Sequence, residues 1–166
     1  ATQVRYLIND SSTRFYFAED EEQLDKILQV REETPSLEKI IIFDMEGLRN
    51  FDDPMCISFD QLLQLGKKFD QDYPEFWAEA IKKANAEDIL TLTYTSGTTG
   101  APKGAMISHR NMLYMMITIQ NIYGIDESDE QLGFLPLAHI AGRMFYTFSC
   151  IESGCIINLV EEPETI

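Results

Sequence analysis

Arg14-Phe15-Tyr16-Phe17-Ala18 leads into Asp20-Glu21-Glu22-Gln23, then into apolar positions Leu24, Ile27, Leu28 and Val30, and finally into Ile40-Ile41-Ile42-Phe43. The first piece has the aromatic content of a short strand. The acidic run suits a helix start, where the positive end of the helix dipole favours carboxylates. The apolar stripe has roughly helical spacing, and Thr34-Pro35-Ser36 breaks it. The run Ile40 to Phe43 is continuous, as expected of a parallel strand covered on both faces. Strand, helix and strand in this order predict a β-α-β unit with a right-handed crossover.

Outward from this unit the alternation continues. Val4 to Asp10 reads as the last turns of a helix, and residues 44–57, with Gly47, Asn50, Asp52, Asp53 and Pro54, read as a loop. Ser58 is placed to cap a helix containing Leu62, Leu63, Leu65 and Phe69, and after Pro74 a second helix carries Phe76, Trp77, Ala80 and Ile81. Ile89 to Thr95 is a strand by its β-branched and aromatic content, and Ala105-Met106-Ile107 is its hairpin partner across a polar loop. Ser108 caps a helix whose Met112, Met115, Met116, Ile119 and Tyr123 form a stripe read as core, and Gly124 stops it. Gln131 to Leu135 is a strand closed by Pro136, His139 to Ile151 an apolar helix ended by Gly154, and Cys155 to Val160 a last strand. The pattern predicts an α/β layered fold with a mostly parallel sheet, flanking helices and one hairpin. It divides into a β-α-β portion, 1–88, and a portion 89–166 built around the hairpin loop.

Composition narrows the function. The 166 residues are 45% hydrophobic and 25% charged, an ordinary globular balance. The net charge is −15, with 10 basic and 20 acidic residues in 1–90 and 3 and 8 in 91–166. No basic patch exists to track a phosphodiester backbone, so nucleic acid is not an expected partner. No apolar run reaches the roughly 18 residues of a transmembrane segment. Cys56, Cys150 and Cys155 lack metal-site spacing, and with only His109 and His139 beside them a zinc site is not expected. Reduced thiols point to a cytoplasmic protein.

The loop is the loudest chemical signal: Tyr94-Thr95-Ser96-Gly97-Thr98-Thr99-Gly100-Ala101-Pro102-Lys103-Gly104. Its glycines permit close backbone approach to a ligand. Successive amides and the hydroxyls of Thr95, Ser96, Thr98 and Thr99 make a donor surface suited to phosphate oxygens, and Lys103 adds a cation. It is not a Walker A loop, because Lys103 precedes Gly104 and a strand rather than Ser or Thr and a helix. Nor does it open a helix, as the dinucleotide fingerprint must. A ligand-free hairpin turn is the bland alternative, although a turn alone does not need two Gly-Thr pairs followed by Pro-Lys-Gly.

The string resembles, without a departure over 94–104, the phosphate loop of the adenylate-forming superfamily of acyl-CoA synthetases, luciferases and peptide-synthetase adenylation domains. Phe134-Leu135-Pro136-Leu137-Ala138-His139-Ile140-Ala141-Gly142-Arg143 resembles that family's next motif in its long-chain fatty-acyl-CoA synthetase form, and Ser108-His109-Arg110-Asn111 fits the same branch.

The resemblance implies an acid-thiol ligase. ATP and a fatty acid give an acyl-adenylate and pyrophosphate, and coenzyme A then takes the acyl group. It implies that Thr95, Ser96, Gly97, Thr98, Thr99, Gly100 and Lys103 hold the triphosphate, that Lys103 stabilises charge built at the α-phosphate, and that Thr95 helps position Mg2+. His139 has two readings: a catalytic and substrate-binding residue beside the acyl pocket, or a helix-start residue satisfying backbone groups. Arg143 either contacts a carboxylate or phosphate, or makes a structural ion pair. The family's later motifs for Mg2+, ribose and the adenylation lysine are not in these residues. The expectation is therefore a part of the family's N-terminal domain, inactive alone, exposing apolar surface that promotes homo-oligomers, with peripheral membrane association a further reading for the intact enzyme. Adenylation of aryl or amino acids, or a non-catalytic binding module, are the alternatives.

Overall fold

The structure is a computed structural model that describes residues 1–95 and 100–160. The chain forms two compact units, Ala1–Lys82 and Lys83–Ile166.

In the first unit, β1 (Phe15–Ala18), β2 (Lys39–Ile42) and β3 (Cys56–Ser58) form a parallel sheet in that order. β2 is central, and Ile40, Ile41 and Ile42 are all buried, which is why the sequence there carries no polar alternation. Helix α1 (Thr2–Ser11) and helix α2 (Glu21–Leu28) supply Ile8, Leu24 and Ile27 to the same core, joined by Val30, Leu37 and Leu48. Each such side chain contributes about 1.5–3 kcal/mol by leaving water. Asp20 caps α2 by accepting the Gln23 N–H at 2.9 Å. A 3-10 turn, Arg31–Glu33, then places Arg31 against Asp53, which also accepts the Met55 N–H at 2.9 Å.

That ion pair and turn prepare β3, a strand in a stretch whose sequence reads as loop. Three residues among Asp, Asn and Pro give no periodic signal, and pairing with β2 supplies the order. Ser58 ends β3 and caps α3 (Phe59–Asp72) through a complete capping box with Gln61. None of α3 or α4 (Phe76–Lys83) is buried, so Leu63, Leu65, Phe69 and Trp77 show their apolar faces.

In the second unit, β4 (Ile89–Thr95) and β5 (Lys103–Ser108) form the expected antiparallel hairpin. Ser108 again ends a strand and starts a helix, α5 (His109–Tyr123), with Asn111 completing the capping box and Gly124 in the left-handed conformation at its end. Met112, Met116 and Ile119 are buried. Met115 and Tyr123, expected on the same stripe, are exposed, because the buried arc of α5 is narrower than the apolar one. β6 (Glu130–Gly133) pairs in parallel with β7 (Ile156–Leu159). Between them the expected helix is composite: α6 (Ile140–Gly142), a π-helical turn (Arg143–Phe148) and α7 (Ser149–Ser153), closed by Gly154 at φ 77°. The architecture is α/β, parallel in two of its three small sheets among the described residues. No described helix is long and apolar enough to cross a membrane.

Candidate phosphate-binding site

Cross-strand pairing sets the mouth of the loop. Thr95 and Lys103 are directly opposite partners at the loop end of the hairpin, both exposed. One step below, Tyr94 faces Gly104, and a Cβ on Gly104 would stand 3.0 Å from the tyrosine ring. The missing side chain therefore seats the ring across the ladder. Gly100 has φ 106°, a conformation that L side chains rarely adopt, and open space around it, so its requirement is for backbone and not for room. Ser96, Gly97, Thr98 and Thr99, predicted donors of the loop, lie outside the described residues. None of the ion pairs among the described residues involves Lys103.

His139 and Arg143 belong to the other motif, and Arg143 reaches the same strand. His139 is the N-cap of α6: its Nδ1 accepts the Ala141 N–H at 3.1 Å, and its own N–H donates to the Pro136 carbonyl at 3.0 Å. The helix-start contacts are thus present. They occupy one ring nitrogen, and the neutral ring keeps its hydrogen on Nε2, available as a donor. Arg143 makes no ion pair among the described residues. Its Nε donates to the Leu137 carbonyl at 2.7 Å, and its Nη1 donates to the Leu92 carbonyl at 2.7 Å and to Thr91 Oγ1. The guanidinium therefore fastens the Leu137–Arg143 turn to β4. Leu92 is three residues from Thr95, about 10 Å along a strand. The second motif is thereby tied to the strand that carries the loop.

Gly142 permits this approach. A Cβ there would lie 2.5 Å from the Pro136 carbonyl oxygen and 3.1 Å from that of Leu135. Nothing in Ala141-Gly142-Arg143 signals this; only the folded turn reveals it. Beyond Gly142 the composite helix and β7 enclose an open, mainly apolar cavity of about 510 Å³, lined by Leu137, Tyr146, Ile151, Ile157 and Leu159 among others. Thr93, on β4, is only 3% exposed, and its hydroxyl has no partner among the described residues.

The described geometry thus puts Lys103 opposite Thr95 at the loop, and a separate, mainly apolar cavity beside the composite helix. Known proteins carry the comparison further. The chain is 32% identical over 159 residues to a long-chain-fatty-acid–CoA ligase, ACSBG2, of Xenopus laevis, covering 93% of this chain and 21% of that protein. It is 35% identical over 119 residues to a putative fatty-acid–CoA ligase, fadD11, of Mycobacterium tuberculosis, covering 72% and 20%. The chain thus spans about a fifth of the length of these curated relatives. Among solved structures, the fold is shared with an anthranilate CoA ligase, AuaEII, in complex with anthranoyl-AMP, at TM-score 0.68 and 22% identity over 94% of this chain and 28% of that one. A putative long-chain-fatty-acid CoA ligase from Rhodopseudomonas palustris matches at TM-score 0.69 and 20% identity, over 95% and 35%. The model of one family, described as AMP-binding enzyme, matches residues 1–165. With that match running through both units, the chain belongs to the AMP-binding enzyme family.

Proposed function

We propose that the chain is the phosphate-loop part of an ATP-dependent fatty acid–CoA ligase. The carboxylate of a fatty acid attacks the α-phosphate, pyrophosphate leaves, and coenzyme A then displaces AMP from the acyl-adenylate. The supporting observation is the Thr95–Lys103 pair at the mouth of a loop that matches the adenylate-forming pattern. In this reading Thr95, Ser96, Gly97, Thr98, Thr99 and Gly100 offer donors to the triphosphate, while Lys103 offsets charge that grows as the α-phosphate is attacked. His139 offers Nε2–H to the substrate carboxylate, and Arg143 adds positive charge at the same end. The apolar cavity of about 510 Å³ takes the first part of the acyl chain.

No group of three His, Cys, Asp or Glu side chains able to hold a metal occurs among the described residues. Thr95 would offer a single hydroxyl oxygen to Mg2+ brought in with the triphosphate, a donor type that this ion accepts. The ion then supplies charge neutralisation, and the chain's own part is to orient the phosphates.

The finer features follow the same reading. The region 1–88 forms the β-α-β support of a larger N-terminal domain, and 89–166 the loop and the start of the acyl pocket. With so few charge-stabilising groups, the 166 residues alone do not adenylate, and exposed aromatics such as Phe76 and Trp77 favour self-association. Three free thiols suit the cytoplasm.

The test is Lys103→Ala in the full-length protein, read by fatty-acid-dependent ATP–pyrophosphate exchange. A fall of about 100-fold is expected from losing one preorganised charge donor. An unchanged rate refutes the loop's role and favours a non-catalytic module. Exchange with aryl or amino acids, and none with fatty acids, moves the assignment to another branch. Acyl-hydroxamate formation by the isolated chain overturns the expectation of inactivity.

A further inference from the structure

Cys150, on α7, and Cys155, immediately before β7, place their sulfurs 2.8 Å apart. That is closer than two unbonded sulfurs ordinarily stand and longer than a disulfide bond of about 2.05 Å. The contact is built by the backbone. Gly154, left-handed at φ 77°, donates its N–H to the Cys150 carbonyl at 2.9 Å and turns the chain so that residue 155 returns over residue 150. Gln131 on β6 reaches the same pair from the parallel strand, its Nε2 donating to Cys155 Sγ at 3.1 Å. Ser153 takes the Cys155 N–H at 3.3 Å. Both cysteines line the open cavity described above, Cys150 partly exposed and Cys155 7% exposed, which gives a small solute a route to the pair. Both belong to the wall of the cavity proposed for the acyl chain, but neither thiol is assigned a step in the proposed ligase chemistry.

The geometry points to Cys150 and Cys155 as a peroxide-responsive thiol pair that closes to an intramolecular disulfide, pinning the end of α7 to the start of β7. The two sulfurs are not equivalent. Burial, and then its hydrogen bond to Cys155, push the Cys150 thiol up to about 12. Burial also raises Cys155, but hydrogen bonds from Cys150, Ser153 and Gln131 outweigh it and hold Cys155 below the ordinary thiol value. The Gln131 Nε2 donor stands 3.1 Å from Cys155 Sγ against 3.9 Å from Cys150 Sγ and favours negative charge on the nearer sulfur. Cys155 is therefore the attacking thiolate and Cys150 the resolving thiol.

In the first step Cys155 sulfur attacks one oxygen of hydrogen peroxide, the O–O bond breaks, a sulfenic acid forms, and the departing hydroxide takes a proton to become water. In the second step Cys150 sulfur attacks the sulfenic sulfur. The S–S bond forms, the S–O bond breaks, and hydroxide leaves with the Cys150 proton as a second water. Two thiols are oxidised, one peroxide is reduced, and two waters result.

The inference stands on the thiol pair alone and needs no reading of the substrate. Its test is a thiol count on the reduced full-length chain before and after hydrogen peroxide, followed by peptide mass spectrometry within residues 1–166. Free thiols in this region fall from three to one, with Cys56 retained and a Cys150–Cys155 link, and a thiol reductant restores all three. Retention of three thiols, a link to Cys56, or only intermolecular products overturns the proposal. With Cys150→Ser, dimedone labels Cys155, whereas with Cys155→Ser the same dose leaves Cys150 unlabelled; the reverse pattern overturns the assigned order. Cys56→Ser keeps both pair members and loses two thiols to none, a variant whose folding does not depend on disturbing the pair.

Discussion

Replacing Gly142 with alanine sets two known effects against each other. Gly142 has φ −59° and ψ −48°, ordinary right-handed helix, so alanine suits its backbone. Helix propensity alone predicts a gain of about 1 kcal/mol. Packing predicts the opposite. The added Cβ would sit 2.5 Å from the Pro136 carbonyl oxygen and 3.0 Å from its carbon, both backbone atoms that no rotamer change can move. Relieving the overlap means shifting the composite helix from the Leu135–Pro136 segment by about an ångström, an overpacking cost of about 1–3 kcal/mol. The same shift lengthens the Arg143 bonds to Leu137 and Leu92, both 2.7 Å, each worth about 1 kcal/mol. Steric and bonding losses exceed the propensity gain, for a net destabilisation of about 1–3 kcal/mol. Urea unfolding followed by far-ultraviolet circular dichroism reads the loss, and hydrogen exchange localises it to amides of residues 140–153. Equal or greater stability of Gly142→Ala, with unchanged protection there, refutes the close approach as the reason for glycine.

Asp53→Asn tests the support of β3. The Asp53 side chain is 15% exposed, and the Arg31 guanidinium, then the Met55 N–H, hold its carboxyl below the usual 3.8. A carboxylate depressed in the folded state stabilises above its unfolded pKa, and that contribution is lost as pH falls through the folded one. The variant should therefore lose about 1–2 kcal/mol at pH 7, discounting for the partly exposed arginine, and the gap should narrow below pH 3.8; a gap independent of pH in urea titrations would rule the pair out as its source. Ser108→Ala removes the acceptor of the Asn111 N–H at 3.2 Å and should cost about 1 kcal/mol by the same measurement, with no loss meaning that the capping box does not hold α5.

What the sequence revealed follows from how local each signal is. The Ile40–Phe43 run and the Ser58 and Ser108 caps are read from neighbours in the chain. The caps form as expected, whereas the strand ends at Ile42 and Phe43 beyond it is 52% exposed. The hairpin is equally legible, although β5 begins at Lys103, two residues before the expected Ala105. β3 was not, since three residues carry no period and their order comes from β2. In the candidate site, Thr95, Gly100 and Lys103 announce themselves by type and spacing. Arg143 does not: a cation invites an anion on paper, and its carbonyl and hydroxyl partners on β4 and the preceding turn appear only in three dimensions. The Cys150–Cys155 contact is hidden the same way, as four intervening residues do not by themselves disclose a reversal at Gly154.

Ser58 and Ser108 each serve as the final residue of one element and the cap of the next. Such corners have no slack: strand and helix meet without a single intervening residue to absorb a rotation. Movement at the Lys103 end of β5 must travel down the strand and emerge as a swing of α5, like a crank arm welded to its shaft. The Ser108 corner therefore couples β5 directly to the helix that buries Met112, Met116 and Ile119, a face that begins four residues beyond the joint.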